Sequence, residues 1–289
     1  MAGGPESDSN APATVGTSPP QPDDITPAGT RIRVLRATVA DPVGIARRIA
    51  AAPWLADATV LKRDARTSVL AGTLDSLPVV VKCARLDRPK DPLARLFGNT
   101  RGMRQWRGAA LLASLGFATP EVILLARGRD PRGRVVETLV MERVPGPTLL
   151  EAAAGRAPEL TGVHQRAGLA HAVGVLVGAM ARAALRNRDL KASNIIVQPA
   201  PGEHAGFVLL QIDTVAVTSG APSPGEEMLF RLLVECVGTG HTPRRSERWR
   251  TLRTAVEGWG GDDPRAVWHA VARRLARHAD PTPKVNPLA

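Results

Sequence analysis

The segment RNRDLKASNIIV, residues 186–197, and the segment that follows it carry side chains that could bind a metal ion. Asn194 precedes a short apolar stretch, and Asp213 ends the next apolar stretch, FVLLQID. A hairpin should join the two stretches, so the Asn194 amide oxygen and the Asp213 carboxylate should meet at one end of it. Oxygen donors of this kind suit magnesium. We therefore predict that Asn194 and Asp213 are magnesium ligands.

Two charged residues in the same segment could act on the reacting groups. Asp189 could accept the proton of an attacking hydroxyl, and Lys191 could neutralise charge on a transferring phosphoryl group. Phosphoryl transfer depends on positioning and charge neutralisation more than on covalent chemistry. We predict that Asp189 and Lys191 are catalytic residues of such a reaction.

The elements that must position these side chains fall into three regions. Residues 1–30 have the composition of a disordered tail. Residues 31–143 contain short β-rich segments, one main helix pattern and the basic linker RLDRPKDPLARLFGNTRG. Helix patterns predominate in residues 144–289. This layout predicts a small β-rich lobe and a larger helical lobe with a ligand cleft between them.

The charge and composition limit the partners. The chain of 289 residues has a net charge of +11, which favours anionic partners. It has no tyrosine, so it lacks much of an aromatic stacking platform, and no nucleic-acid partner is expected. Cys83 and Cys236 lie in apolar surroundings without metal-ligand spacing, as in a cytoplasmic protein with reduced thiols. We expect a cytoplasmic protein that contacts an anionic membrane face peripherally.

The order of the motifs resembles that of the protein-kinase superfamily. RDLKASN, residues 188–194, has the spacing of the catalytic loop H-R-D-L-x-x-x-N. Asn187 replaces the histidine, whose role is mainly to brace the loop. Upstream, the strand LPVVVK ends in Lys82, and TLVMERVPG matches the segment that joins the lobes. The resemblance implies an α+β, two-lobed protein-kinase-like fold.

A narrower resemblance is to the lipopolysaccharide core kinases, the Kdo and heptose kinases. It rests on VVVK, RQWRGAALLASLGFATPEVILL, LVMERVPGPTL, RDLKASNIIV and LLQIDTVAV. These segments lie within about residues 55–255. The resemblance implies an enzyme that uses ATP and magnesium to phosphorylate a hydroxyl on a sugar of a lipopolysaccharide-type glycolipid or similar glycoconjugate.

The same resemblance implies a role for each matching residue. Lys82 would hold the nucleotide phosphates, Asp189 would be the catalytic base, and Lys191 would stabilise charge at the moving group. Asn194 and Asp213 would bind magnesium. The remaining nucleotide contacts would be Thr67 and Ser68 in the loop over the phosphates, and Met141, Glu142 and Val144 beside the adenine.

Two alternatives remain open. The helix pattern in residues 91–116 has no glutamate to pair with Lys82. Gln105 is the nearest candidate, and a neutral amide orients a lysine less strongly than a carboxylate does. This favours a pseudokinase, a scaffold or regulatory protein that binds nucleotide weakly or not at all. The other alternative is a protein Ser/Thr kinase, although the segment after Asp213 has no A-P-E motif.

Overall fold

The computed structural model describes residues 32–130, 133–201, 206–220, 224–261, 263–278 and 288. The tail predicted for residues 1–30 lies outside the described residues. Within the described ranges, no helix combines the length and the hydrophobicity needed to cross a bilayer.

The first lobe is built on a six-stranded antiparallel sheet. Its strands are β1 (Arg33–Ala37), β2 (Thr59–Arg63), β3 (Thr67–Leu74), β4 (Leu77–Arg85), β5 (Val122–Arg129) and β6 (Val135–Glu142). Their spatial order is β1-β5-β6-β4-β3-β2. The last five coincide with segments that the sequence predicts as strands. β1 was not predicted, because this edge strand is polar and mostly exposed.

Different helices cover the two faces of this sheet. α1 (Pro42–Ala50) and α2 (Ala52–Asp57) pack on the face that includes Val81 and Cys83. After β4 come α3 (Asp91–Leu96) and α4 (Arg101–Ser114), and α4 packs on the opposite face, against Leu139 and Met141. Because side chains alternate along a strand, Lys82 lies on the α4 face.

Glu137 on β6 fixes the start of α4 to the sheet. Its side chain is 2% exposed, and its carboxylate accepts hydrogen bonds from Thr100 Oγ1, the Gly102 backbone N–H and Arg127 Nη2, each at 2.8 Å. Bonds to a buried charged group are among the stronger ones in proteins. α4 and the sheet are therefore joined at this end.

The basic linker predicted after β4 contains a helix, so that part of the prediction was wrong. The six residues of α3 begin with Asp91, whose carboxylate accepts from the Arg88 backbone N–H at 2.7 Å. None of the residues of α3 is buried. A short helix held by local hydrogen bonds, rather than by packing, gives no clear signal in the sequence.

The second lobe is mostly helical. Its helices are α5 (Leu149–Ala153), α6 (Val163–Arg182), α7 (Pro224–Gly238), α8 (Arg245–Trp259) and α9 (Pro264–Ala276). α6 and α8 approach closely, because a Cβ on Gly178 would lie 2.8 Å from the Ala255 carbonyl oxygen. α6 ends at Arg182, since Ala184 adopts a left-handed φ of +52°.

Two small antiparallel sheets in this lobe position the predicted catalytic segment. One pairs β7 (Leu185–Asn187) with β10 (Val217–Ser219), and the other pairs β8 (Ile195–Pro199) with β9 (Phe207–Gln211). The second is the hairpin that the sequence predicts. The catalytic loop runs from β7 to β8.

The chain passes from one lobe to the other through residues 143–148, between β6 and α5. The Val197 backbone N–H donates to the Pro147 carbonyl oxygen at 2.9 Å, which holds this segment on β8. Gly146 has a φ of +126°, and a Cβ there would approach the Val197 carbonyl oxygen to 2.7 Å, so this position requires glycine. The predicted lobes, residues 31–143 and 144–289, divide within this segment.

Both cysteines are buried free thiols. Burial raises the pKa of Cys83 and of Cys236 to about 12. Neither side chain is therefore a nucleophile at neutral pH.

Candidate active site

Asn187 braces the catalytic loop in place of the histidine of the motif. Its side chain is 1% exposed. The amide oxygen accepts from the Asp189 backbone N–H at 3.0 Å, and Nδ2 donates to Gln211 Oε1 at 3.1 Å and to the Asp213 carbonyl oxygen at 3.3 Å. One buried amide thus joins the loop to β9 and to the segment after it.

The loop between Asp189 and Asn194 closes on itself. Asn194 Nδ2 donates to the Asp189 carbonyl oxygen at 3.0 Å, and residues 192–194 form a 3₁₀ turn. Because Nδ2 makes this bond, the amide oxygen of Asn194 is the atom left to bind a cation. Lys191 Nζ lies 2.8 Å from Asp189 Oδ1, and both side chains are partly open to solvent. The predicted base and its neighbouring cation are therefore paired.

Glu235 on α7 supports the loop from the core of the helical lobe. Its carboxylate accepts from the Ser193 backbone N–H at 2.8 Å and from Ser193 Oγ at 2.6 Å, and the residue is 8% exposed. Glu235 is not among the residues predicted from the sequence. Its one signal is a glutamate within the apolar run of the segment MLFRLLVECVG, where an unpaired charge would be costly.

The two lobes meet at the carbonyl oxygen of Ile212. Lys82 Nζ and Gln105 Nε2 each donate to this oxygen at 3.1 Å. The Ile212 backbone N–H donates to the Asn194 carbonyl oxygen at 3.0 Å, and Asp213 is the next residue. The structure thus brings Lys82, Asn194 and Asp213 together around one residue.

The environment of Lys82 lowers the pKa of its ammonium group. Burial is the main cause, because it removes water from the charged form. The Asp213 carboxylate opposes this effect, whereas the charges of Arg101 and Lys62 add to it. A lysine with few compensating charges is suited to bind an anion that arrives with the substrate.

Among the described residues, Gln105 and Lys82 form no hydrogen bond with each other. Instead, Gln105 Oε1 accepts from the Thr214 backbone N–H at 3.3 Å, and Thr214 Oγ1 donates to the Gln105 carbonyl oxygen at 2.7 Å. Both residues are buried. Further along α4, a Cβ on Gly108 would lie 2.1 Å from the Thr214 carbonyl oxygen. These contacts, which we call the α4 clasp, hold the helix against the segment that follows Asp213.

Arg101 pairs with Asp213 and was not predicted. Arg101 Nη2 lies 3.4 Å from Asp213 Oδ2, and Asp213 Oδ1 accepts from the Val215 backbone N–H at 3.2 Å. The Asp213 side chain is 13% exposed, whereas that of Arg101 is 54% exposed. The guanidinium therefore compensates the charge of the Asp213 carboxylate from the solvent side. It can move away when a divalent cation binds there.

The oxygen atoms at this site fit magnesium. Magnesium takes one or two carboxylates, keeps several waters and shares the rest of its coordination with substrate phosphates. The Asp213 carboxylate and the Asn194 amide oxygen supply such donors. Among the described residues, no group of three or more His, Cys, Asp or Glu side chains could form an all-protein metal cage. The donor set suits an ion that binds with a nucleotide.

The predicted contact of Ser68 with the phosphates is incompatible with its position. Thr67 and Ser68 belong to β3, because Asp64 Oδ1 accepts from two backbone N–H groups at 2.8 Å and tightens the preceding turn. Ser68 pairs with Cys83 and is 5% exposed, on the sheet face opposite Lys82. Thr67 lies on the same face as Lys82.

The predicted adenine contacts lie at the end of β6 and just after it. Met141 is 2% exposed and packs between the sheet and α4. The Glu142 backbone N–H donates to the Glu121 carbonyl oxygen at 2.9 Å, so this group is already used. In the described part of the chain, the Val144 backbone N–H makes no hydrogen bond. Val144 can therefore still donate to a ligand.

A protein-family model matches residues 86–219, from the residue after β4 to the end of β10, and its description is Lipopolysaccharide kinase (Kdo/WaaP) family. The resemblance predicted from the sequence is confirmed over this region, and the chain is a phosphotransferase with a hydroxyl acceptor. The matched region includes Asp189, Asn194 and Asp213, whereas Lys82 precedes it.

One solved structure confirms the fold of this chain. The structure described as WaaP in complex with acyl carrier protein aligns with a TM-score of 0.54 and 18% identity, covering 77% of this chain and 89% of that chain. The BubR1 kinase domain aligns with a TM-score of 0.42 and 12% identity over 56% of this chain and 46% of that chain. The first match confirms the α+β, protein-kinase-like fold. No curated protein sequence matches the chain.

Proposed function

We propose that this kinase uses ATP and magnesium to phosphorylate a sugar hydroxyl of a lipopolysaccharide-type glycolipid. The observation that carries the proposal is the convergence of Lys82, Asn194 and Asp213 around Ile212. The three supply one cation and two oxygen donors at the point where the lobes meet. This is the combination that a metal-bound polyphosphate requires.

Each side chain has a separate role in the proposed reaction. Lys82 binds the α- and β-phosphates, and the Val144 backbone N–H meets the adenine edge. Asn194 and Asp213 hold magnesium, which supplies positive charge at the phosphates. Asp189 orients the attacking hydroxyl and accepts its proton. Lys191, 2.8 Å from Asp189, stabilises charge on the moving phosphoryl group.

The shared anchor of Gln105 and Lys82 at the Ile212 carbonyl oxygen favours an active enzyme over a pseudokinase. The missing glutamate was the reason to consider a pseudokinase, because that side chain normally joins the helix to the lysine. Here Gln105 and Lys82 donate to the same carbonyl oxygen, so the helix and the lysine have a common anchor without an ion pair. The cleft is therefore assembled despite the substitution.

The acceptor implied by the family is carried on a lipid. We propose that the kinase works in the cytoplasm at the inner face of the membrane, where such an acceptor would be available. A protein Ser/Thr substrate is the less favoured alternative, since the family match is to lipopolysaccharide kinases.

The decisive experiment follows transfer of labelled γ-phosphate from ATP to a panel of glycolipids and proteins. Asp189→Asn should lower kcat by roughly 10²- to 10⁴-fold without weakening ATP binding, as expected for loss of a general base. Glu159→Gln, an exposed carboxylate in the helical lobe, is the matched control and should behave as wild type. Undiminished transfer by Asp189→Asn would contradict the assignment of the base.

A second measurement separates the enzyme from the pseudokinase. ATP with magnesium should raise the Tm of the wild type, because ligands that bind only the native state stabilise it. Asp213→Ala should lose the part of this shift that depends on magnesium. A wild-type protein whose Tm does not respond to ATP and magnesium would favour the pseudokinase.

A further inference from the structure

Three large apolar side chains stand exposed at α3. Leu93 is 61% exposed, Leu96 76% and Phe97 73%. Their spacing of three and four residues places them on one side of the helix. We call these three residues the α3 apolar patch. Exposed apolar residues scattered singly need no explanation, but three that share one face mark an interaction surface.

Basic residues flank the patch along the chain. Residues 85–107 contain seven arginines and lysines and only two carboxylates. Both carboxylates are occupied, since Asp87 pairs with Arg66 at 3.5 Å and Asp91 accepts from the Arg88 backbone N–H. In the described part of the chain, no ion pair is formed by the side chains of Arg88, Lys90, Arg95, Arg104 or Arg107.

We propose that the α3 apolar patch and these cations dock the kinase on an anionic lipid bilayer. Apolar side chains enter the boundary between head groups and acyl chains, while cations beside them meet lipid phosphates. A second copy of this chain is a poor partner, because its net charge of +11 would repel the first. A protein partner would need an apolar groove surrounded by acidic side chains to match the patch. A bilayer needs no such groove to accept exposed apolar side chains.

The position of the patch relates this docking to catalysis. Phe97 precedes Arg101 by four residues, a span of at most about 14 Å, and Arg101 lies 3.4 Å from Asp213. A bilayer bound at the patch would therefore lie beside the mouth of the cleft. This step rests on the proposed function, because only a lipid-borne acceptor gains from such proximity.

The test is co-sedimentation of the full chain with two kinds of vesicle, without nucleotide. One kind is phosphatidylcholine alone, and the other contains phosphatidylglycerol as well. Binding to the anionic vesicles should weaken at least tenfold in the variant Leu93→Ser, Leu96→Ser, Phe97→Ser. The variant Arg88→Gln, Lys90→Gln should weaken it by roughly 25-fold, since each cation contributes about fivefold.

Matched controls remove similar groups elsewhere on the surface. The apolar control is Leu115→Ser, Val163→Ser, Val175→Ser, all exposed leucine or valine residues away from α3. The charge control is Arg250→Gln, Arg265→Gln on the helical lobe. Both controls should bind the anionic vesicles within about twofold of wild type, and circular dichroism should show all variants folded.

Each outcome bears on the proposal. Wild-type binding to neither kind of vesicle, or equal binding by the patch variant and the wild type, overturns it. A patch variant that binds vesicles normally but loses an acidic protein partner also overturns it, in favour of a protein interface. The result is independent of the proposed function, because a protein whose Tm ignores ATP and magnesium can still bind vesicles through α3.

Discussion

Replacing Gly108 by alanine sets two effects of opposite sign against each other. Glycine inside a helix costs roughly 0.5–1 kcal/mol relative to alanine, so the substitution would stabilise an α4 with open space beside it. A Cβ at this position, however, would lie 2.1 Å from the Thr214 carbonyl oxygen and 3.0 Å from its carbonyl carbon. Because backbone atoms cannot swing away, the helix would have to retreat by about 1 Å.

The steric effect should dominate. Overpacking of this kind costs roughly 1–3 kcal/mol, and the retreat would also stretch the hydrogen bonds between Gln105 and Thr214, each contributing about 1 kcal/mol. After the gain in helix propensity, a net loss of about 2 kcal/mol corresponds to a Tm lowered by roughly 4–8 °C. A displacement of about 1 Å at the cleft can also lower kcat by up to about 100-fold.

Calorimetry and the phosphate-transfer assay would measure both effects. Gly168→Ala in α6 is the matched control, since its Cβ would meet only a Phe207 ring carbon at 3.3 Å, and that ring can shift. The control should keep the wild-type kcat and a Tm at or above that of the wild type. If Gly108→Ala gains stability and keeps full kcat, the close approach of α4 to Thr214 is not a feature of the working enzyme.

Three further variants test other parts of the site. Burial lowers the pKa of Lys82, so between that lowered pKa and about 10.5 the unfolded chain holds more protons than the native protein. The free energy of unfolding should therefore rise with pH over this range. Urea unfolding should show a smaller rise for Lys82→Met than for the wild type. Asn187→Ala removes three hydrogen bonds made by a buried amide, and chemical denaturation should show a loss of about 2–3 kcal/mol. Arg101→Ala removes the cation beside Asp213, so half-saturation of the thermal shift with ATP should need roughly two- to fivefold less magnesium.

The loop that carries the proposed catalytic residues could be located from the sequence because its geometry is local. Asp189, Lys191 and Asn194 lie within six residues, and the backbone of one loop sets their distances. The hairpin that brings Asp213 to Asn194 follows from two adjacent apolar segments and the turn between them. The fold class followed from the order of these segments along the chain, and the family and fold comparisons confirm it.

The features that the sequence did not predict depend on contacts between distant residues. Gln105 meets Thr214 across more than a hundred residues, and Glu235 reaches Ser193 from another helix. No local pattern records such pairs. Ser68 was misplaced for a different reason. Asp64 closes the turn before Thr67, so Ser68 already belongs to β3, and the alternation of the strand places its side chain on the face opposite Lys82.

α4 is anchored at two points, by Glu137 at its start and by Thr214 further along, and this has a consequence for the design of inhibitors. Compounds that act by pushing this helix outward, to open a pocket behind it, would have to break the three charged hydrogen bonds of Glu137 or the buried pairing with Thr214. α4 cannot move at either point without losing these hydrogen bonds. A selective inhibitor would instead have to compete at the proposed adenine contact near Val144, or bind at the proposed acceptor site.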